Sequence, residues 1–247
     1  MQTSQTHVFA NRISATQNRN IPVIFYLSLG SNLAPDEHIA RALRELSERY
    51  GSILVLPIVR TEPCAINSSN GFLNTIAVIS SKESSSALKA WLNSLEMAHG
   101  RDRNDPNRST KDRTLDIDIL LEQGCFDFSV AHSQHEAFAE PYVQASIKAL
   151  DKYLEQPVTN DANGSEAQVS EANESGAKID AEATSTPAND SVNTTTVRIP
   201  GAPVSLGHRA ATIDFEYSSG DILIAENSLN TLLQRFEATF DRQQGFA

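Results

Sequence analysis

Val23-Ile24-Phe25-Tyr26-Leu27-Ser28-Leu29 followed by Gly30-Ser31-Asn32 is an apolar, β-rich run that stops at a turn cluster, the signature of a strand entering a tight turn. Outward from it the elements alternate. Pro35 suits a first helical position, and Ile39, Leu43, Leu46 and Tyr50 recur at helical spacing, which predicts a helix over 35–50. Ile53 to Val59 and Phe72 to Ser80 read as strands separated by a long loop. Leu88, Trp91, Leu92 and Leu95 form an apolar stripe on a second helix that ends near His99-Gly100. Leu115 to Leu121 is again a strand. Strand, helix, strand, strand, helix, strand is the split βαβ plan. It predicts an α+β, ferredoxin-like fold, one antiparallel sheet with both helices on one face.

The chain has 247 residues, a length for one or two domains. Residues 1–21 are polar and read as a disordered tail. Residues 22–154 form the folded domain, and 155–196 an acidic linker or insert. Between 155 and 190 eight carboxylates face one lysine, too little apolar area to offset ordering entropy. Residues 197–247 read as a hairpin across Ser218-Ser219-Gly220-Asp221, then an amphipathic helix carrying Leu229, Leu232, Leu233, Phe236 and Phe240. This extension is expected to dock on the main domain, being small to stand alone. A net charge of −11 argues against nucleic acid as a partner. No apolar run approaches the roughly 20 residues that span a bilayer. The N-terminus has no apolar signal core, and Cys64 and Cys125 have neither metal-motif nor disulfide-framework spacing. A cytoplasmic protein without a membrane partner is the expectation.

The chemistry concentrates in residues 101–120. On a strand, Leu115, Ile117 and Ile119 point to one face and Asp116 and Asp118 to the other. Two carboxylates about 7 Å apart along a strand repel unless compensated. A hard cation meets that need, and Mg²⁺ commonly takes one or two carboxylates plus substrate phosphates. A bare Asp-x-Asp is also compatible with a solvated strand face. The loop in front of it, residues 101–113, carries five Lys or Arg and three Asp, and guanidinium forks match phosphate oxygens. Dicarboxylate and basic loop together point to phosphoryl or nucleotidyl transfer.

Five blocks then occur in order: Leu27-Ser28-Leu29-Gly30-Ser31-Asn32-Leu33, Arg60-Thr61-Glu62-Pro63, Gly71-Phe72-Leu73-Asn74, Leu95-Glu96 with Gly100-Arg101-Asp102-Arg103, and Arg113-Thr114-Leu115-Asp116-Ile117-Asp118-Ile119-Leu120. Over residues 23–122 the chain resembles the 6-hydroxymethyl-7,8-dihydropterin pyrophosphokinases of folate biosynthesis. The resemblance implies transfer of the β,γ-pyrophosphoryl group of ATP to the pterin hydroxymethyl, leaving AMP. It implies that Asp116 and Asp118 hold two Mg²⁺, and that Arg101, Arg103 and Arg113 surround ATP and the catalytic loop. Asn93, Glu96 and Ile119 match positions near the nucleotide. Thr61 and Asn74 match pterin contacts, and Phe72 stands where an aromatic ring stacks on the pterin. An Asn side chain, donor and acceptor at once, suits the amide-like edge of a pterin.

The chain departs from the pattern in two places. Ser109-Thr110-Lys111-Asp112 replaces a Trp-Gly-Pro run, and Pro141-Tyr142 replaces a Pro-His pair. Lys148 and Leu150 fall where an arginine and an aromatic belong, so Lys148 is assigned to ATP with its charge kept and its fork lost. A second class therefore stays open: a diverged relative that binds nucleotide or pterin without transferring.

Overall fold

Strand β1 (Val23–Ser31) lies in the interior of a seven-stranded sheet, between β4 (Phe72–Ser81) and β5 (Asp116–Gln123). The computed structural model describes residues 22–63, 68–107, 110–124, 126–127, 129, 136–154 and 193–226. The expected N-terminal tail, most of the acidic segment and the C-terminal amphipathic helix lie outside these residues. The sheet order is β5-β1-β4-β2-β8-β9, with β2 spanning Ser52–Val55, β8 Ala211–Glu216 and β9 Asp221–Glu226. Every pairing is antiparallel. The first four strands of that order are the ferredoxin-like core, and the hairpin β8–β9 extends its edge.

Both faces of β1 are covered, which is why its sequence is a continuous apolar run and not an alternation. Phe25, Leu27 and Leu29 face a core built with α1 (Pro35–Tyr50) and α2 (Ser85–Ala98). Ile24 and Tyr26 face a second core on the other side. Helix α1 opens with Pro35 and places Asp36 and Glu37 in its first turn, where backbone N–H groups favour negative charge. It buries Ile39, Ala42, Leu43 and Leu46 and stops at Gly51, whose φ is 81°. Helix α2 is capped by Ser84, whose hydroxyl accepts from the Ala87 N–H at 3.2 Å. Both helices lie against the same core, as the split βαβ plan requires.

The second core belongs to a helix that the sequence reading did not include, α3 (Pro141–Leu154). It packs Val143, Ile147 and Leu150 under Tyr26, Leu54 and Val78. The strand expected over Ile53–Val59 is divided: β2 ends at Val55 and β3 covers Val59–Thr61. Pro57 between them has no N–H to give to a ladder; beyond it Ile58 donates to the Gly207 carbonyl at 2.8 Å. Asn193 and Thr195, expected within the linker, run beside this segment: Arg60 N–H donates to Asn193 O and Thr195 N–H to Ile58 O. A two-stranded ribbon, β6 (Val197–Arg198) with β7 (Ser205–Leu206), adds Val197 and Leu206 to the first core.

Candidate active site

The pairing register assembles the site. Gly30 lies opposite Asn74 on β4 and opposite Asp116 on β5. Ser28 lies opposite Asp118, and Thr61 opposite Phe72. Alternation sends all of these side chains to the α3 face of the sheet. Gly30 thus separates Asn74 from Asp116 by two strand spacings, about 10 Å, with no side chain between them. The result is a trough bordered on one side by the start of α3. Its cavity of about 270 Å³ is lined by Ser28, Gly30, Thr61, Glu62, Phe72, Asn74, Arg113, Asp116, Asp118, Glu140 and Tyr142.

The absence of a side chain at residue 30 is a requirement. A Cβ there would lie 2.8 Å from Asn74 Oδ1. Asn74 keeps its orientation through Nδ2, which donates to Thr61 Oγ1 at 2.7 Å. Its carbonyl oxygen is left facing the Gly30 gap, so the expected pterin-contact residues Thr61, Phe72 and Asn74 share one end of the trough.

Asp116 and Asp118 occupy the other end. Asp116 accepts from Arg101 with one oxygen and from Arg113 with the other. Burial, the largest influence, pushes its carboxyl up, but the two guanidinium groups outweigh burial and hold it below the usual Asp range. Asp118 is more exposed and pairs with Lys89, which reaches from α2 around the edge strand: Nζ donates to Asp118 Oδ1 at 2.5 Å and to the Ile117 carbonyl at 3.0 Å. No sequence block singled out Lys89, because the ion pair joins residues of two elements across the sheet edge.

Behind the aspartates sits Glu96, a buried carboxylate. Its Oε1 accepts from the Ile117 N–H at 2.8 Å and pairs with Arg101 at 3.0 Å, while Oε2 pairs with Arg103. Burial dominates here and raises its pKa, against the opposing pull of the Ile117 N–H, Arg101 and Arg103. Asn93 Oδ1 accepts from the same Arg103 at 2.6 Å. Asn93, Glu96 and Arg103 line neither the trough nor the loop cavity described next; they form a second layer that fixes Arg101.

A smaller cavity of about 180 Å³ adjoins the trough, lined by Leu33, Gly100, Arg101, Asp102, Asp105, Lys111, Asp112, Arg113 and Thr114. Arg113 belongs to both cavities. The loop here is folded on itself by Asx turns at Asp102 and Asp105 and by a Lys111–Asp105 ion pair. Arg108 and Ser109 lie outside the described residues.

Two further expected nucleotide contacts also line neither cavity. Ile119 packs against the first core, as its alternation with Asp118 dictates. Lys148 is exposed on α3 and lines neither cavity. The start of α3 reaches the site instead, through Glu140 just before the helix and Tyr142 in its first turn, residues that the sequence reading did not select. Burial, followed by the charges of Asp118, Glu140 and Asp116, raises the pKa of the Tyr142 phenol.

An α+β sheet whose edge strand presents two carboxylates, backed by arginines and a basic loop, defines a class: a domain suited to a phosphorylated small molecule. Comparison narrows it. The model of the 7,8-dihydro-6-hydroxymethylpterin-pyrophosphokinase family matches residues 26–152. Two relatives, from two strains of Porphyromonas gingivalis and both named 2-amino-4-hydroxy-6-hydroxymethyldihydropteridine pyrophosphokinase, are 37% identical over 101 residues, covering 40% of this chain and 68% of each relative. The chain belongs to the 7,8-dihydro-6-hydroxymethylpterin pyrophosphokinase family.

Proposed function

We propose that this chain transfers the pyrophosphoryl group of ATP to 6-hydroxymethyl-7,8-dihydropterin, releasing AMP, with the trough as the place of reaction. The family membership supports the reaction. The observation that carries the site is the shared register of Asn74, Gly30 and Asp116. It sets an amide-recognising end and a dicarboxylate end about 10 Å apart on one open floor, a span that suits a bicyclic ring carrying its alcohol toward the aspartates.

The donor chemistry fits Mg²⁺. Four carboxylates, Glu62, Asp116, Asp118 and Glu140, line the trough against one arginine, so a triphosphate needs a cation to enter. Among the described residues no group of three or more His, Cys, Asp or Glu is placed to hold a metal unaided. Asp116 and Asp118 would therefore hold one or two Mg²⁺ together with phosphate oxygens. A cation held there would supply charge neutralisation for the triphosphate and polarise the phosphorus under attack.

The remaining work falls to this chain's own side chains. In the transfer, the acceptor alcohol oxygen bonds to Pβ and gives its proton to solvent, the bond from Pβ to the bridging oxygen breaks, and AMP leaves with that oxygen. Arg101 and Arg113, now paired with Asp116, are placed to turn toward phosphate oxygens when a cation takes over the aspartate. Glu96 and Asn93 hold Arg101 and Arg103 near that place. Asn74, Thr61 and Phe72 orient the pterin. Cytoplasmic residence, where ATP and a reduced pterin are available, is part of the same reading.

The test is AMP release from ATP and Mg²⁺ in the presence and absence of 6-hydroxymethyl-7,8-dihydropterin. Pterin-dependent AMP that disappears in Asp116→Ala supports transfer. Pterin and nucleotide binding without AMP would support the non-catalytic alternative.

A further inference from the structure

On the other side of the sheet, α1 and the end of α2 are joined by a chain of side chains that the reaction above does not employ. His99, the C-cap of α2, is buried. Its Nε2 lies 2.8 Å from Glu45 Oε2, and its Nδ1 lies 2.9 Å from Nδ1 of His38. His38, Arg41 and Glu45 follow one another along α1 at helical spacing, and Arg41 Nε donates to the other Glu45 oxygen at 3.0 Å. Both ring nitrogens of His99 are therefore held by α1.

The backbone that follows His99 is fixed to the same turn. Gly100, with φ 94°, donates its N–H to the Met97 carbonyl at 2.9 Å, and Arg101 donates to the Glu96 carbonyl at 3.0 Å. This is a Schellman ending, with glycine in the left-handed position. It sets Arg101 relative to α2, while the Glu45–His99–His38 chain sets α2 relative to α1. Leu33, before α1, and Gly100 and Arg101, after α2, line the smaller cavity together with Arg113. The chain thus ties together the two walls between which the arginines of Asp116 stand.

We propose that His99 is a positioning residue for the nucleotide: held at both ring nitrogens by Glu45 and His38, it locks the end of α2 to α1 and keeps Arg101 where it meets phosphate. This inference rests on the reading of the aspartate end as the place of the triphosphate, and it adds residues that line neither cavity.

The central bond of the lock holds a single proton. A carboxylate only accepts, so Nε2 of His99 donates to Glu45. His99 Nδ1 then either accepts from neutral His38 or, as imidazolium, donates to it. A second proton sets N–H against N–H and opens the bond. The charged groups around the pair are Glu37, Arg41 and Glu45 from α1, and Glu96 one turn back on α2, whose carboxylate is turned to Arg101, Arg103 and the Ile117 N–H. Burial, then the charge of His99, aided by Arg41, outweigh Glu37 and hold His38 below the ordinary imidazole value of 6.5. The lock is therefore whole above that value and opens as pH falls below it.

The experiment uses the full chain and compares wild type, His38→Phe, Arg101→Ala and the double variant. His38→Phe leaves the buried His99 in place and keeps a ring against it, and thermal melts establish that each variant is folded. Glu45→Gln, which weakens the other grip on His99, is the second lock variant. Affinity for the α,β-methylene analogue of ATP with Mg²⁺ is read by calorimetry, and AMP release is measured while each substrate is varied in turn. We expect His38→Phe to weaken analogue binding about five- to tenfold, a scale open to residues outside a site. It should lower kcat/KM for ATP by a like factor, with KM for the pterin changed less than about twofold. Glu45→Gln should show a smaller loss of the same kind. In the Arg101→Ala background either change should cost less than about twofold. The advantage of wild type over His38→Phe should narrow between about pH 8 and about pH 5. Equal losses toward both substrates, the same factor with and without Arg101, an advantage indifferent to pH, or lock variants that bind like wild type would overturn the proposal. If wild type releases no AMP, the transferase reading fails and calorimetry alone decides this one. A loss confined to chains that keep Arg101 then sustains it, and equal binding, or none by wild type, overturns it.

Discussion

Asn32 and Arg113, far apart in sequence, clasp each other's backbone. The Arg113 N–H donates to Asn32 Oδ1 at 2.7 Å, and the Asn32 N–H donates to the Arg113 carbonyl at 3.0 Å. Asn32 Nδ2 then donates to Asp112 at 2.7 Å. The turn after β1 is thereby the anchor of the basic loop, and it sets where Arg113 stands at the junction of the two cavities.

Replacing Asn32 with Ala removes its side-chain bonds to Asp112 and Asn70 and leaves the Arg113 N–H without its acceptor. We expect a stability loss of about 1–2 kcal/mol and a fall in kcat of about 10–100-fold, because the loop's arginine is no longer held in place. Urea denaturation and AMP release measure the two effects. Unchanged kcat would show that the clasp serves folding alone.

Gly30→Ala separates recognition from folding. The added Cβ meets the end of a side chain, Asn74 Oδ1, and not backbone. The amide can swing away by giving up its bond to Thr61. Stability should change by less than about 1 kcal/mol, while pterin affinity falls about tenfold or more as the amide-recognising end is lost. Fluorescence titration with the pterin reads the affinity; binding equal to wild type would remove Asn74 from the recognition end.

Glu96→Ala takes from Arg101 and Arg103 their shared carboxylate and strands the Ile117 N–H. Breaking a buried ion pair from one side costs about 3–5 kcal/mol, so the urea midpoint should drop sharply. Glu96→Gln, which keeps an acceptor for Ile117, should fall between the two. A midpoint within experimental error of wild type for Glu96→Ala would refute the second-layer role.

The acid limb of the stability profile carries the signature of Asp116. Its folded carboxyl titrates below the ordinary value of 3.8. The stability it contributes is complete above that ordinary value and drains away as pH falls through the depressed folded one. Unfolding free energies from pH 7 down to about 3 should therefore decline less steeply in Asp116→Asn than in wild type. Parallel acid limbs would contradict the pairing with Arg101 and Arg113.

Local pattern made much of this molecule legible. The apolar run at 23–29 and the stripe through Leu88, Leu92 and Leu95 fixed elements whose burial depends on periodicity alone. The alternation at Asp116-Ile117-Asp118 likewise revealed which side of β5 carries the charge. Helix α3 also carries a local signal, since Val143, Ile147 and Leu150 keep helical spacing. Lys148 lies on the exposed face of that helix and lines neither cavity. Glu140 and Tyr142 reach the trough only because α3 folds over the sheet face opposite α1 and α2. The links from Lys89 to Asp118 and from Asn32 to Arg113 are products of strand register and helix docking, and no window of sequence contains both partners.

The account depends most on Asp116 and Asp118 acting as the seat of the cation that presents the nucleotide. The direct test is a crystal of the full chain grown with Mn²⁺ and the α,β-methylene analogue of ATP, in which the bond to be broken is inert, with anomalous diffraction recorded at the manganese edge. We predict an anomalous peak within coordination distance of both carboxylates, about 2.0–2.3 Å, with Arg101 or Arg113 released from Asp116 toward phosphate. Nucleotide bound with manganese elsewhere, or with both arginines still on Asp116, would contradict it.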